Sequence, residues 1–195
     1  MSSSDPVVNQ KQPIEFGWLG RLIVLAWRLG LGRWVPLWSP LAGQLMVLGH
    51  SARKGGRNHF IPAHYALVDG EIYCLPTFGD RCGWYRNVHT SPEVEIWLPD
   101  SWWAGIAEEV TDSRLRIPLL RQVLLGSGLF CQAAGLEPHI MTNEELDAAT
   151  RHFRLIRIVR TRPCTGRGGP GEFGWIWQVT TMVLLLTLLF RRRKE

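Results

Sequence analysis

The sequence predicts a mainly β protein, an antiparallel barrel with a few short flanking helices, and three observations predict it. Between Ala42 and Thr161 the chain breaks into short runs rich in β-branched and aromatic residues: Gln44–His50, His59–Leu67, Glu71–Pro76, Val94–Leu98, Trp102–Val110 and Arg154–Arg160. Asp69-Gly70 stands between the second and third runs, a hairpin signal because glycine accepts positive φ. Few helical patterns separate the runs, which favours a meander closing on itself over a parallel sheet.

In chain order, Met1 to Lys11 is polar and is expected to be disordered, since it cannot bury enough surface to offset the entropy of ordering. Phe16 to Gly30 is apolar but carries Arg21 and Arg28 seven residues apart, on one helical face. Leu19, Ile23, Ala26 and Trp27 lie on the other side, which makes a basic amphipathic helix suited to a membrane interface; a helix packed on the domain's own core has the same periodicity. Two short helices are expected over Trp84–Thr90 and Ser113–Leu125. A third begins near Thr142, where Thr142-Asn143-Glu144-Glu145 offers a capping box.

Pro163 to Gly174 reads as a glycine- and proline-rich linker. From Phe173 to Phe190 the chain runs eighteen residues without a charge and ends at Arg191-Arg192-Arg193-Lys194. Such a helix would reach about 27 Å, close to the thickness of a bilayer core, and is expected to be transmembrane. The expected organisation is therefore a tail and interfacial helix over 1–41, a barrel over 42–162, a linker over 163–174, and a transmembrane helix with a basic tail over 175–195. Basic residues flank this last helix on both sides, so charge bias does not fix its direction, and the domain is expected at the cytoplasmic face on other grounds.

With 195 residues there is room for one domain with a real core. Its 10 tryptophans gather partly outside the barrel region, at Trp18, Trp27, Trp34, Trp38, Trp175 and Trp177, the residue type that favours a membrane–water boundary. The net charge of +5 suits an anionic lipid or a phosphorylated ligand. Nucleic acid is disfavoured because the basic residues are spread among loops and not drawn into one stripe. Cys74, Cys82, Cys131 and Cys164 form no C-x-x-C pair and have no histidine at zinc spacing, so neither metal nor a redox dithiol is expected. The first fifteen residues, with Asp5, Pro6 and Pro13, do not read as a secretory signal.

Two clusters carry the chemistry. His50-Ser51-Ala52-Arg53-Lys54-Gly55-Gly56-Arg57-Asn58-His59 joins the first two strands. Its three fixed cations and paired glycines can wrap a phosphate, the glycines letting backbone N–H groups approach; a solvated basic turn looks the same in isolation. Thr77-Phe78-Gly79-Asp80-Arg81-Cys82-Gly83-Trp84-Tyr85-Arg86-Asn87 is a loop entering a helix, whose amino end attracts anions and whose Trp84 could wall a flat ring. Trp84 and Tyr85 could equally be core anchors.

Taken together, the Arg-Lys-x-Gly turn, Pro62, Asp69-Gly70, Gly79, the stretch Trp84-Tyr85-x-Asn87-Val88 and Pro92-x-Val94-x-Ile96 resemble the deazaflavin-dependent nitroreductase family over about residues 42 to 162. The resemblance implies a split β-barrel that binds the deazaflavin coenzyme F-420 and reduces quinones, nitroaromatics or enones. It implies that Arg53, Lys54, Gly56, Arg57 and His59 hold the phosphate and acidic tail, while Gly79, Arg81, Trp84, Tyr85 and Asn87 line the far side. It also agrees with a membrane-associated protein and leaves a homodimer open. The chain departs from the family pattern at Ala52 and Gly55, which flank the Arg-Lys pair, and at His59, where an arginine is common. It has no tyrosine after Tyr85, so the acceptor's identity does not carry over.

In the implied chemistry the reduced coenzyme supplies the hydride while the protein aligns it in a dry pocket. The acceptor's proton would come from Tyr65, His64 or water, with Tyr65 preferred for its place on the second strand. FMN is the alternative coenzyme, because similar barrels hold ordinary flavin with similar basic loops. A non-catalytic, membrane-tethered module that binds a coenzyme or lipid is the other alternative.

Overall fold

The computed structural model describes residues 17–38, 43–51, 58–76, 83–133 and 135–192. Six strands, β1 (Leu45–Ser51), β2 (Asn58–Val68), β3 (Glu71–Cys74), β4 (Glu93–Trp97), β5 (Trp102–Glu109) and β6 (Ile156–Pro163), close into a barrel in the order β1-β2-β3-β6-β5-β4. Every neighbouring pair is antiparallel. The split-barrel expectation fits this mainly β architecture with flanking helices.

Period-two alternation fills the barrel. Met46 and Leu48 of β1, Ala63 and Tyr65 of β2, Ile72 and Cys74 of β3, Ile96 of β4 and Ile158 of β6 form one buried cluster inside it. Alternate residues face outward, so Val47 and Trp97 belong to a second cluster with Trp27. Gly105 marks where the interior has no room: a Cβ there would come within 2.9 Å of Ile96 Cδ1 and 2.8 Å of the Val159 carbonyl. The β2–β3 hairpin turns at Asp69 and Gly70, both at positive φ (52° and 81°), as the dipeptide predicts.

The barrel's exterior is covered in two places. Helix α1 (Gly17–Arg28) lies along β2 and leads into a 3-10 helix, Leu31–Trp38. On the other side α3 (Ser113–Leu125), α4 (Leu129–Ala133) and α5 (Asn143–Ala149) form their own cluster around Leu120, Leu124 and Leu146. The capping box is formed: Glu145 N–H donates to Thr142 Oγ1, and the Glu145 carboxylate accepts from Thr142 N–H. Arg116 and Arg121 of α3 donate to the Thr150, Phe153 and Met141 carbonyls, tying down the loops around α5.

Both expected membrane attachments need correction. The apolar face of α1 assigned to lipid is used by the barrel instead, since Ile23, Val24 and Trp27 pack on Val47 and Trp97, with Trp27 only 2% exposed. What α1 turns outward is a second apolar strip of Trp18, Leu22 and Leu25 beside Arg21. The C-terminal helix α6 runs over Trp175–Arg192, two residues later than the uncharged stretch begins, and its last two positions are arginines. Sixteen uncharged residues, interrupted by Gln178 and three threonines, reach only about 24 Å. Among the described residues no helix is long and apolar enough to cross a membrane.

The stretch read as a free linker is also pinned. Gly171 N–H donates to the Trp27 carbonyl at 2.9 Å, Phe173 N–H to Arg28 at 2.8 Å, and Trp177 Nε1–H to Leu29 at 2.9 Å. The start of α6 is therefore fastened to the end of α1.

One ion pair has a pH signature. Arg157 on β6 donates to the Glu71 carboxylate across the β3–β6 pair, and this holds the Glu71 carboxyl below its ordinary range. The stabilisation is present above the unfolded carboxylate pKa and is lost as pH falls through the lower folded value. Glu71→Gln is expected to reduce stability by up to about 1 kcal/mol at neutral pH, the pair being partly solvated. The gap to the unaltered protein should close below about pH 4. Urea midpoints across pH check both; a gap that stays constant in acid would remove the pair from the account.

Candidate functional site

Described residues that flank or follow the two chemistry-bearing segments come together at one end of the barrel. Arg53, Lys54, Gly56 and Arg57, and Gly79 and Arg81, lie outside the described residues, but the elements that flank them are placed. The register pairs His50 with His59, and their rings stack with centroids 5.9 Å apart. Helix α2 (Gly83–Thr90) follows the second segment, and its Asn87 Nδ2 lies 3.3 Å from His50 Nδ1. His50 and His59, which flank the first segment, and Asn87, in the helix after the second, thus lie side by side.

Helix α2 is held there by a polar network that the sequence did not reveal. Tyr85 Oη donates to Glu109 Oε2 at 2.6 Å, His89 Nε2 lies 3.1 Å from the same oxygen, and Arg154 Nη1 reaches Glu109 Oε1 at 3.4 Å. Trp84 and Tyr85 are both buried in the barrel cluster. Only the pairing of β5 with α2 could have pointed to Glu109, and that contact spans 24 residues.

Two hollows adjoin this framework. A groove of about 380 Å³ runs outside the barrel from Gly49, His50 and Asn58 across Ala104 and Gly105 to Thr161 and Arg162. Its floor is small and its walls offer hydrogen-bond donors, while Glu93 and Glu95 also line it, so it suits a flat ring bearing donors as well as acceptors. A larger cavity, about 930 Å³, lies toward the other end, among Trp27, Arg33, Tyr65, Asp100, Trp102 and Cys164. Cys164 borders both hollows.

The structure does not bring Tyr65 to the histidine pair: six residues along β2 separate it from His59, about 20 Å. It opens instead into the larger cavity. Burial first, and then the Asp100 carboxylate, push the Tyr65 phenol up, so it keeps its proton at neutral pH. Burial pulls His64 down despite a backbone hydrogen bond with Gln44, which leaves the imidazole neutral and a poor acid. The Cys74 thiol, fully buried, is pushed up to about 12 and is chemically inert. Arg33, Asp100 and Trp102 were not among the sequence-derived candidates, because the cavity is assembled from segments distant in the chain.

No family model matches the chain, and no curated protein matches it. Solved structures do resemble it at low identity. A conserved hypothetical protein of Mycobacterium tuberculosis is 20% identical with a TM-score of 0.46, over 63% of this chain and 76% of that one. An F-420-H2 dependent reductase is 14% identical with a TM-score of 0.45, over 60% and 94% of the two chains. The haem-storage protein of Vibrio cholerae is 16% identical with a TM-score of 0.41, over 66% and 89%. These likenesses concern the barrel and nothing finer.

Proposed function

We propose that the protein is an oxidoreductase-like barrel that holds a flavin-type coenzyme, deazaflavin F-420 in the first instance, and passes a hydride to a small organic acceptor such as a quinone, nitroaromatic or enone. The observation that supports this reading is the meeting of His50, His59 and Asn87, described residues that flank or follow the two glycine-bearing basic segments, beside a groove lined by Gly49, Ala104 and Gly105. Arg53, Lys54 and Arg57 would take the anionic tail, and Gly56 would let the backbone approach it. Gly79, Arg81 and Asn87 would border the other side, with Trp84 and Tyr85 anchoring their helix. The coenzyme, when bound, supplies the hydride; the chain aligns it and excludes water, and Tyr65 would offer a proton only to an acceptor that reaches the larger cavity.

FMN is the alternative coenzyme for the same groove, and the absorption spectrum of purified protein loaded with each coenzyme separates the two. Saturable binding of F-420 with steady oxidation of its reduced form by a soluble quinone is the expected outcome. Binding without turnover would leave a non-catalytic module, and binding of neither coenzyme would end the proposal.

Attachment to a membrane surface is part of this reading, through the outward strip of α1, Trp34 and Leu37 of the 3-10 helix, and α6. No acidic residue occurs from residue 17 to 38 or from 175 to 192, whereas arginines recur in both. The full chain should therefore sediment with anionic vesicles and less with neutral ones; equal recovery in the supernatant with and without vesicles would refute it.

A further inference from the structure

Trp84, Tyr85 and Val88 of α2 enter the barrel cluster from the histidine end, and the larger cavity lies toward the opposite end. Tyr65, Leu67 and Leu98 line it from the barrel, and the 3-10 helix and the segment from Cys164 to Gly171 line it from outside. Tyr65 is only 7% exposed, and its hydroxyl has no hydrogen-bond partner among the described residues. A phenolic hydroxyl so far inside a protein ordinarily finds one. Its neighbours on that wall, Leu67, Leu98 and Pro99, offer it no polar side chain. Burial and the Asp100 carboxylate keep the phenol protonated, so it serves the cavity as a donor.

The charged walls favour neither sign. Arg33 and Asp100 both border the cavity, both are exposed, and no ion pair joins them. A ligand of either charge is drawn by one and repelled by the other, and it would still have to shed water to reach the apolar part of the hollow. An uncharged group avoids that cost. The rim is apolar: three-residue spacing on the 3-10 helix puts Leu31, Trp34 and Leu37 on one stripe beside Gly30 and Arg33 of the wall, and all three are exposed.

We propose that this cavity binds an uncharged single-chain amphiphile, a carbonyl oxygen of its head accepting a hydrogen bond from Tyr65 Oη and its hydrocarbon chain leaving over Leu31 and Trp34. A monoacylglycerol has this chemistry: one ester carbonyl, no charge, and hydroxyls to meet Ser101 and Thr165 on the walls. The volume, about 930 Å³, is ample for such a head and the first part of a chain. Binding of this kind needs no coenzyme, so it stands or fails apart from the hydride-transfer reading.

The test is displacement of a brominated monoacylglycerol from the full-length protein, read as recovery of quenched tryptophan fluorescence with every lipid kept below its aggregation concentration. The competitors are monooleoylglycerol, its ether analogue without the carbonyl, oleate and oleylamine. Monooleoylglycerol should displace the probe at a lower concentration than either charged lipid, and roughly fivefold lower than the ether, the worth of one neutral hydrogen bond. Tyr65→Phe removes a hydroxyl that holds no described residue, so the variant should fold; in it the ester should weaken roughly fivefold and its advantage over the ether should vanish. Quenching that does not saturate, an ether as tight as the ester in the unaltered protein, an ester advantage that survives in Tyr65→Phe, or tighter binding of either charged lipid would overturn the proposal.

Discussion

Replacing Arg53 and Lys54 together by alanine is expected to weaken coenzyme binding by roughly 3–6 kcal/mol, because each charge-assisted hydrogen bond to an anion contributes about 1.5–3 kcal/mol. The two residues belong to the segment between His50 and His59, whose rings stack at the barrel's end with Asn87 beside His50. The loss should shrink as salt is raised if the pair acts by charge, since exposed charges are screened within about 10 Å at 0.1 M salt. Fluorescence titration of the purified protein with F-420 reads it directly. Affinity within about threefold of the unaltered protein would remove both residues from the tail site.

Trp97→Ala is expected to destabilise the fold by about 3–5 kcal/mol, the usual range for deleting a large buried aromatic ring. Trp97 is wholly buried on the barrel's outer face, its ring 4.5 Å from Phe60 and clustered with Val47 and Trp27 of α1. Its Nε1–H donates to Glu95 Oε1 at 2.7 Å, a bond that is lost with the ring. Because this ring belongs to the cluster on which Ile23, Val24 and Trp27 of α1 pack, the variant should also expose α1 to trypsin at Arg21 and Arg28 before the barrel is cut. A urea midpoint shift equivalent to less than about 1 kcal/mol would mean that α1 is held some other way.

The strands were legible because their side chains alternate and their boundaries carry turn residues. Asp69-Gly70 marked its hairpin, Thr142 and Glu145 marked the start of α5, and Ser113–Leu125 was readable from its helical spacing. Pairing was not legible. Nothing in the order of residues says that β3 meets β6 or that β1 meets β4, since those contacts depend on closing long loops. The 3-10 helix over Leu31–Trp38 and the short α4 were missed as well, both being too brief to show a period.

The readings of α1 and α6 went astray for a shared physical reason. Apolar periodicity says that a face will be buried but not in what, and α1 carries one face for the barrel and another left outward. In α6 the uncharged stretch begins two residues before the helix, because Phe173 and Gly174 serve the turn tied to Arg28, and the helix runs on into two arginines. For the candidate site, local clusters were visible as loops. The larger cavity was not, because Arg33, Asp100 and Cys164 come together only when the barrel closes.

Closure itself limits how copies of this chain can associate. Each of the six strands has a neighbour on either side, so among the described residues another chain's strand could pair only where a strand outruns its neighbour, as β2 does over Asn58–His64, which pair with β1 alone. A protein with this much outward tryptophan and leucine would otherwise invite sheet-to-sheet polymerisation. Self-association through the outward apolar side chains of its helices would be sensitive to detergent and lipid.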